Sequence, residues 1–104
     1  MIRVSVIYPA GTGKTFDTTY YMQRHIPLVK KRLGSMGLVR LEIDRGLGGG
    51  APGAPAPFVC VAHLHFHSVA DFEKAMKAHG AELMGDVPNY TNIQPQVQVS
   101  EIVG

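Results

Sequence analysis

The stretch FVCVAHLHFHSVADFEKAMKAHG, residues 58–80, decides the fold class because its periodicity changes at Ser68. Apolar and polar residues alternate up to His67, which is typical of a strand with two different faces. After Ser68 the apolar residues recur at helical spacing, with Ser68 as the predicted N-cap. Gly80 is the predicted end of this helix, although residues 81–86 could add one more turn. The stretch therefore predicts a strand followed directly by a helix.

Two further strands are predicted on either side of this unit. Leu38–Arg45 alternates and precedes the central strand, from which the Gly/Ala/Pro-rich residues 46–57 separate it as a loop. After the helix, residues 88–92 are rich in turn formers, and Gln96–Val103 is predicted as the last strand.

The N-terminal segment completes the order. Ile2–Tyr8 is predicted as a strand because it is rich in β-branched residues, and Asp17 is the predicted N-cap of the helix that follows. Pro27 predicts a break near His25 and a second helical segment ending by Gly34. The order β-α-β-β-α-β is that of a ferredoxin-like α+β domain, with one antiparallel sheet and both helices on one face.

Composition limits the class of protein. The 104 residues predict one domain, residues 1–104, and the net charge of +2 is too small to indicate a nucleic-acid-binding protein. No segment has the length or apolar character of a membrane span, and no signal peptide is recognised. The single cysteine, Cys60, excludes an internal disulfide. We expect a soluble, cytoplasmic protein.

Alternation along the strands predicts an apolar and a polar face of the sheet. The apolar face, expected beneath the helices, comprises Ile2, Val4, Val6, Tyr8, Val39, Leu41, Ile43, Cys60, Ala62, Leu64, Phe66, Val97 and Val99. The polar face comprises Arg3, Ser5, Ile7, Arg40, Glu42, Asp44, Val61, His63, His65, His67, Gln96, Gln98 and Ser100. This face could meet water, or it could meet a second copy of the chain and enclose a polar cavity. The weakly charged last strand would be a hazardous free edge, which favours the dimer.

Two motifs are similar to known binding sites, but the spacing of their residues argues against that interpretation. Residues 10–15, AGTGKT, are similar to a phosphate-binding loop, but the first glycine of that motif would fall at Tyr8. His63, His65 and His67 point the same way from one strand, and two of them could bind zinc or iron. Their spacing of about 6.5 to 7 Å prevents all three from binding one ion, so the polar wall of a pocket or of a solvated sheet is the preferred interpretation.

Several short segments together resemble the EthD family, which is named for a protein encoded with an ethyl tert-butyl ether degradation system. The residues that carry the resemblance are Val6-Ile7-Tyr8-Pro9, Phe16-Asp17, Tyr20-Tyr21, His25-Ile26-Pro27-Leu28-Val29, Phe66, Phe72, Asp86-Val87-Pro88-Asn89-Tyr90-Thr91, and Pro95 through Glu101-Ile102. The resemblance implies a homodimer whose two sheets form a dimeric α+β barrel. It also implies that His25 and the loop Asp86–Tyr90 line a cleft.

We therefore expect a small, mostly apolar organic ligand between sheet and helices, with no cofactor and no metal. The expected chemistry is a cofactor-independent oxidation or isomerisation of an aromatic or lactone-like compound, with His25 as general acid and base. Four alternatives stay open: a non-catalytic accessory or carrier protein, a metal-dependent protein using His63 and His65, a structural role for His25, and a turn-forming role for Asp86. The side chains expected to contact the ligand are Tyr21, His63, His65, Asp86 and Asn89.

Overall fold

Four antiparallel strands form one sheet in the computed structural model, which describes residues 1–104. The strands are β1 (Ile2–Pro9), β2 (Leu38–Arg45), β3 (Phe58–Phe66) and β4 (Gln96–Glu101), in the spatial order β2-β3-β1-β4. All three neighbouring pairs are antiparallel. This is the order that a split βαβ topology requires, and the ferredoxin-like prediction is confirmed.

The first helical segment is continuous from Thr18 to Leu33 but changes its winding in the middle. It comprises α1 (Thr18–Tyr20), a π-helical turn (Tyr21–His25) and α2 (Ile26–Leu33). Asp17 caps it as predicted, because its side chain accepts a hydrogen bond from the backbone N–H of Tyr20 at 3.0 Å. Pro27 lies in the first turn of α2, so the predicted break takes the form of the π-helical turn.

The second long helix, α3 (Val69–Asp86), extends beyond the predicted stop. Ser68 is its N-cap, as predicted, and accepts a hydrogen bond from the N–H of Asp71 at 3.2 Å. The prediction of Gly80 as the helix end was wrong, since Gly80 lies within the helix. Glycine costs only about 1 kcal/mol there, and burial of Leu83 beyond it offsets that cost. Asp86 therefore ends α3 and precedes a 3-10 turn (Val87–Asn89).

The core lies between the helices and the predicted apolar face of β1 and β3. Val4 is paired with Leu64 on one side and Val99 on the other, so these side chains share a face. One cluster of buried residues comprises Ile2, Val4, Val29, Leu33, Ala62, Leu64, Phe66, Ala75 and Leu83. A second, towards the other end of the sheet, comprises Tyr8, Tyr21, Ile26, Cys60, Val87, Tyr90 and Ile93.

The outer strands depart from the predicted faces. The placement of Val39 beneath the helices was wrong: Leu38 pairs with Phe66 and Arg40 with His65, which leaves Val39 as the extra residue of a β-bulge, 48% exposed. Leu38 packs against the core in its place.

The last strand, β4, has the predicted alternation but little cover. Val97 and Val99 share the helix-facing side of the sheet with Val6 and Val4, yet they are 52% and 42% exposed. These half-exposed side chains show that the helices cover β4 only in part. No helix combines the length and the apolar character that crossing a membrane would require.

Candidate functional site

A cavity of about 90 Å³ lies between the sheet and the helices. Of the 18 residues that line it, 16 are hydrophobic, and the other two are His25 and Pro95. Every strand contributes to the wall, and no lysine, arginine, aspartate or glutamate does. An enclosure of this kind favours an apolar molecule and excludes an isolated charge.

One end of the cavity is aromatic. The rings of Tyr8, Tyr21 and Tyr90 lie within 5.0 to 6.1 Å of one another, and Phe16 packs edge-on against Tyr8 at 5.1 Å. The imidazole of His25 stacks on Tyr21, with ring centres 5.5 Å apart and planes inclined by 17°. This packing leaves the imidazole few alternative orientations, because each ring is held on more than one side.

The other side of the imidazole is held by a carboxylate. Nδ1 of His25 lies 2.9 Å from Oδ2 of Asp86, and His25 itself is buried. The second carboxylate oxygen, Oδ1, accepts hydrogen bonds from the hydroxyl of Tyr20 at 2.7 Å and from Nδ2 of Asn89 at 2.9 Å. The end of α1 positions Tyr20 and the π-helical turn positions His25, while the end of α3 and the 3-10 turn position Asp86 and Asn89.

These hydrogen bonds fix the proton positions of the pair. Burial by itself disfavours the charged form of Asp86, but hydrogen bonds from Asn89, Tyr20 and His25 together hold the pKa of the carboxyl below its ordinary value. An ionised carboxylate only accepts hydrogen bonds. Nδ1 of His25 therefore carries a proton and donates a hydrogen bond to Asp86. In the neutral imidazole, Nε2 is then left as an acceptor.

A chain of hydroxyl groups continues from Nε2. The Tyr90 hydroxyl lies 3.4 Å from it, at the long limit of a hydrogen bond, and 2.8 Å from the Tyr8 hydroxyl. Burial raises the pKa of Tyr90 and of Tyr8, so both phenols keep their protons at neutral pH. With Nε2 as an acceptor, the Tyr90 hydroxyl can donate to His25 while the Tyr8 hydroxyl donates to Tyr90. The hydrogen bonds then run from Tyr8 through Tyr90 and His25 to Asp86, which is the final acceptor.

The buried thiol of Cys60, near these hydrogen bonds, is not activated as a nucleophile. Burial raises the pKa of Cys60 to about 11, so the thiolate that a nucleophile needs is scarce at neutral pH. Burial likewise raises the pKa of Tyr21, whose ring forms part of the cavity wall. His25 is thus the only side chain lining the cavity that carries a basic nitrogen.

The structure brings together four of the six predicted site residues: Tyr21, His25, Asp86 and Asn89. His63 and His65 lie on the opposite face of the sheet, where Nε2 of His63 is 2.7 Å from Asp44 and Nε2 of His65 is 3.1 Å from Glu42. They do not reach the cavity, and contact with a ligand at that face stays a prediction. No three histidine, cysteine or acidic side chains anywhere in the structure lie close enough together to hold a metal ion.

Tyr8 and Tyr20 of the site were not predicted as site residues, and Tyr90 was indicated only as part of the loop Asp86–Tyr90. Tyr8 ends β1 on the buried face, and Tyr90 follows the 3-10 turn. A tyrosine expected in a core needs a partner for its hydroxyl, and that requirement was the available signal for Tyr8. For Tyr20 and Tyr90 no local pattern indicated their partners, Asp86 and His25.

The AGTGKT segment connects two loops through hydrogen bonds. The N–H of Thr15 donates to Oδ1 of Asn92 at 2.9 Å, and the carbonyl of Gly13 accepts from Nδ2 of Asn92 at 2.9 Å. No helix begins at Lys14, as a phosphate-binding loop would require. The segment joins the loop after β1 to the loop before β4, next to the aromatic end of the cavity.

Comparison with known proteins agrees with this architecture. The model of the EthD domain matches residues 10–94. An EthD-like protein from Ralstonia eutropha JMP134 is 45% identical, with a TM-score of 0.92, 99% of this chain covered and 92% of that one. No curated protein matches the chain.

Two more distant structures share the fold. An EthD family protein from Bacillus halodurans C-125 has a TM-score of 0.68 at 19% identity, and 99% of each chain is covered. A dimeric ferredoxin-like protein from an uncultured marine organism has a TM-score of 0.56 at 11% identity, with 100% of this chain covered and 96% of that one.

Proposed function

The chain belongs to the EthD family, and we propose that it binds a small, mostly apolar organic molecule in the cavity and exchanges a proton with it through His25. The observation that carries the proposal is the Asp86–His25 pair, whose imidazole forms part of the wall of an otherwise apolar cavity. The pair supplies an oriented base, and the apolar cavity around it retains the ligand by hydrophobic burial.

The chemistry follows from the proton positions. Nε2 removes a proton from an acidic C–H or O–H bond of the ligand, and the imidazolium that forms is stabilised by the Asp86 carboxylate 2.9 Å away. Return of this proton to a different carbon completes an isomerisation without any cofactor. In the oxidative variant, the carbanion adds dioxygen, and the same proton converts the peroxide anion into a hydroperoxide. The aromatic or lactone-like class of ligand and a part in ether degradation stay predictions.

The opening of the cavity suits an apolar ligand. Met84 of α3 and Val97 of β4 both line it and are about half exposed. A molecule that enters between them leaves water on passing two hydrophobic side chains.

A non-catalytic accessory or carrier role is the second candidate, and one contact favours it. The Tyr90 hydroxyl occupies the Nε2 side of His25 at 3.4 Å, and a bound molecule must displace or share it before a proton moves. A protein that only holds its ligand has no need to free this nitrogen.

We further propose that the protein is a homodimer in which the open sheet faces meet. Ile7 and Val61, a cross-strand pair, place apolar area among the polar residues of that face. The dimeric description of the marine ferredoxin-like relative supports the arrangement. Val61→Lys should give a folded monomer in sedimentation, whereas Glu73→Lys on the exposed side of α3 should stay dimeric; a wild-type chain that sediments as a monomer at micromolar concentration contradicts this proposal.

The decisive test of function combines binding and turnover. Aromatic and lactone compounds are screened calorimetrically against the wild type and His25→Ala, and hits are incubated in deuterium oxide with and without dioxygen. Deuterium exchange, isomerisation or oxygen uptake that His25→Ala lacks, with binding retained, supports the enzyme. Binding without any turnover favours the carrier, and turnover that survives His25→Ala removes His25 from the mechanism.

A further inference from the structure

We infer that the ligand is an uncharged molecule with one hydroxyl or acidic C–H group at one end and an unbranched apolar tail, and that Met76 limits the length of the tail. The inference rests on the proposed binding function and adds the class and orientation of the ligand. Four observations lead to it: the charges near the cavity, the lone acceptor at one end, the aliphatic length of the walls, and the side chains that close the far end.

Charge excludes an anionic ligand. No cationic side chain lines the cavity, and the carboxylate of Asp86 lies behind His25. A carboxylate or phosphate inside would lose its hydration, gain no counter-ion and be repelled by Asp86. The polar end of the ligand is therefore neutral when it binds.

Hydrogen bonding selects a donor. Because Nδ1 of His25 donates to Asp86, Nε2 can accept a hydrogen bond from the ligand in place of the one from the Tyr90 hydroxyl, 3.4 Å away. A phenolic or enolic hydroxyl satisfies it, and it is also the kind of group that such a base deprotonates. A ligand that carried only acceptors could not replace the Tyr90 hydroxyl as the donor to Nε2.

The walls extend well beyond this polar end. His25 and Leu33 both line the cavity, and eight residues of helix separate them by about 12 Å. Tyr8 and Val4 line it along β1 over about 13 Å. Between these limits the wall residues are aliphatic: Val6, Ile26, Val29, Leu41, Ala62 and Leu64. An apolar tail is the group that such walls bind best.

The far end is closed by the N-terminal half of α3. Phe72 lines the cavity and packs its ring 5.5 Å from Phe66, which pairs with Ile2 at the end of the sheet opposite Tyr8. Met76 lies one turn further along α3 and also lines the cavity. Its unbranched side chain adapts to the end of a tail, so Met76 acts as the flexible stop.

The test is a calorimetric series of 4-n-alkylphenols of increasing length on the full chain. Affinity should rise about fourfold for each added methylene until the tail reaches Met76 and then stop rising. Met76→Trp should stop the rise at a shorter tail and Met76→Ala at a longer one, with thermal unfolding confirming that both are folded. Met84→Trp, at the opening, is the matched control and should leave the limit unchanged.

Three results would overturn the inference. If Met84→Trp moves the limit and Met76→Trp and Met76→Ala do not, the tail leaves through the opening. If 4-n-alkylbenzoates bind as tightly as the phenols at pH 7, the preference for a neutral group is absent. If n-alkylbenzenes bind equally well, no hydroxyl is recognised although the cavity still binds ligands. Failure of all three series, in contrast, removes the proposed binding function itself.

Discussion

The carboxylate of Asp86 lies 2.9 Å from Nδ1 of His25, although 61 residues separate the two along the chain. One residue ends a π-helical turn and the other ends a helix from the opposite half of the fold. Their contact joins these two elements, and it fixes which nitrogen of the imidazole carries the proton. The predictions concerning the site follow from this relationship.

Asp86→Asn should remove the preference of His25 for the tautomer that is protonated at Nδ1. An amide can present either its oxygen or its NH₂ group to Nδ1, so the preference that a carboxylate imposes is lost. Nitrogen NMR of the imidazole should report a protonated Nδ1 in the wild-type protein near pH 8 and a mixture of tautomers in the variant. A wild-type spectrum dominated by protonated Nε2 would contradict the assignment.

The stability contributed by Asp86 should depend on pH in one direction. Its pKa is lowered in the folded protein, so this stability is complete above the ordinary carboxyl pKa of about 3.9 and is lost as the pH falls through the folded value. Urea unfolding should show a constant gap between wild type and Asp86→Asn from pH 6 to 8 and a shrinking gap below about pH 4. A gap that widens in acid would mean that the sign of the pKa shift is wrong.

Tyr90→Phe should destabilise the fold by about 1 to 3 kcal/mol, because the Tyr8 hydroxyl and Nε2 of His25 both lose a buried partner. Adding Tyr8→Phe should cost less than it does in the wild-type protein, since the hydroxyl it removes has already lost its partner. The free energies of unfolding of the two single variants and the double variant measure this coupling. Strict additivity would show that the 2.8 Å contact contributes nothing.

Leu33→Ala should cost about 2 to 5 kcal/mol, because Leu33 is fully buried against the first core cluster. Leu47→Ala is the matched control: the same atoms are removed from a side chain that is 89% exposed, so the change should stay within about 0.5 kcal/mol. Chemical denaturation compares the two directly. Equal effects would place Leu33 outside the core.

The elements of the fold were predictable because their signals are local. Asp17 and Ser68 cap helices with side chains that reach only three residues along the chain. The alternation in β1 and β3 assigns faces without knowledge of the partners. Val39 and Gly80 depend on more distant residues, since pairing with β3 creates the bulge and burial of Leu83 carries the helix past its glycine.

The candidate site was only partly predictable for the same reason. The EthD resemblance indicated His25 and the loop after Asp86, but no residue pattern shows that Asp86 contacts His25 or that Tyr90 joins Tyr8 to it. His63 and His65 formed the most conspicuous motif, yet the sheet separates them from the cavity. These contacts join residues that lie far apart in the chain, and residue types alone do not show which distant residues meet.

The π-helical turn makes the site sensitive to the number of residues in this segment. The hydrogen bond from the N–H of Ile26 to the carbonyl of Tyr21 spans one residue more than its α-helical equivalent. If one residue between Asp17 and Pro27 were lost while the π-helical turn stayed in place, the two flanking halves would turn by about 100° relative to each other. A homologue shortened in this way would keep its sheet and both helices, while Tyr20 and His25 would no longer face the same carboxylate.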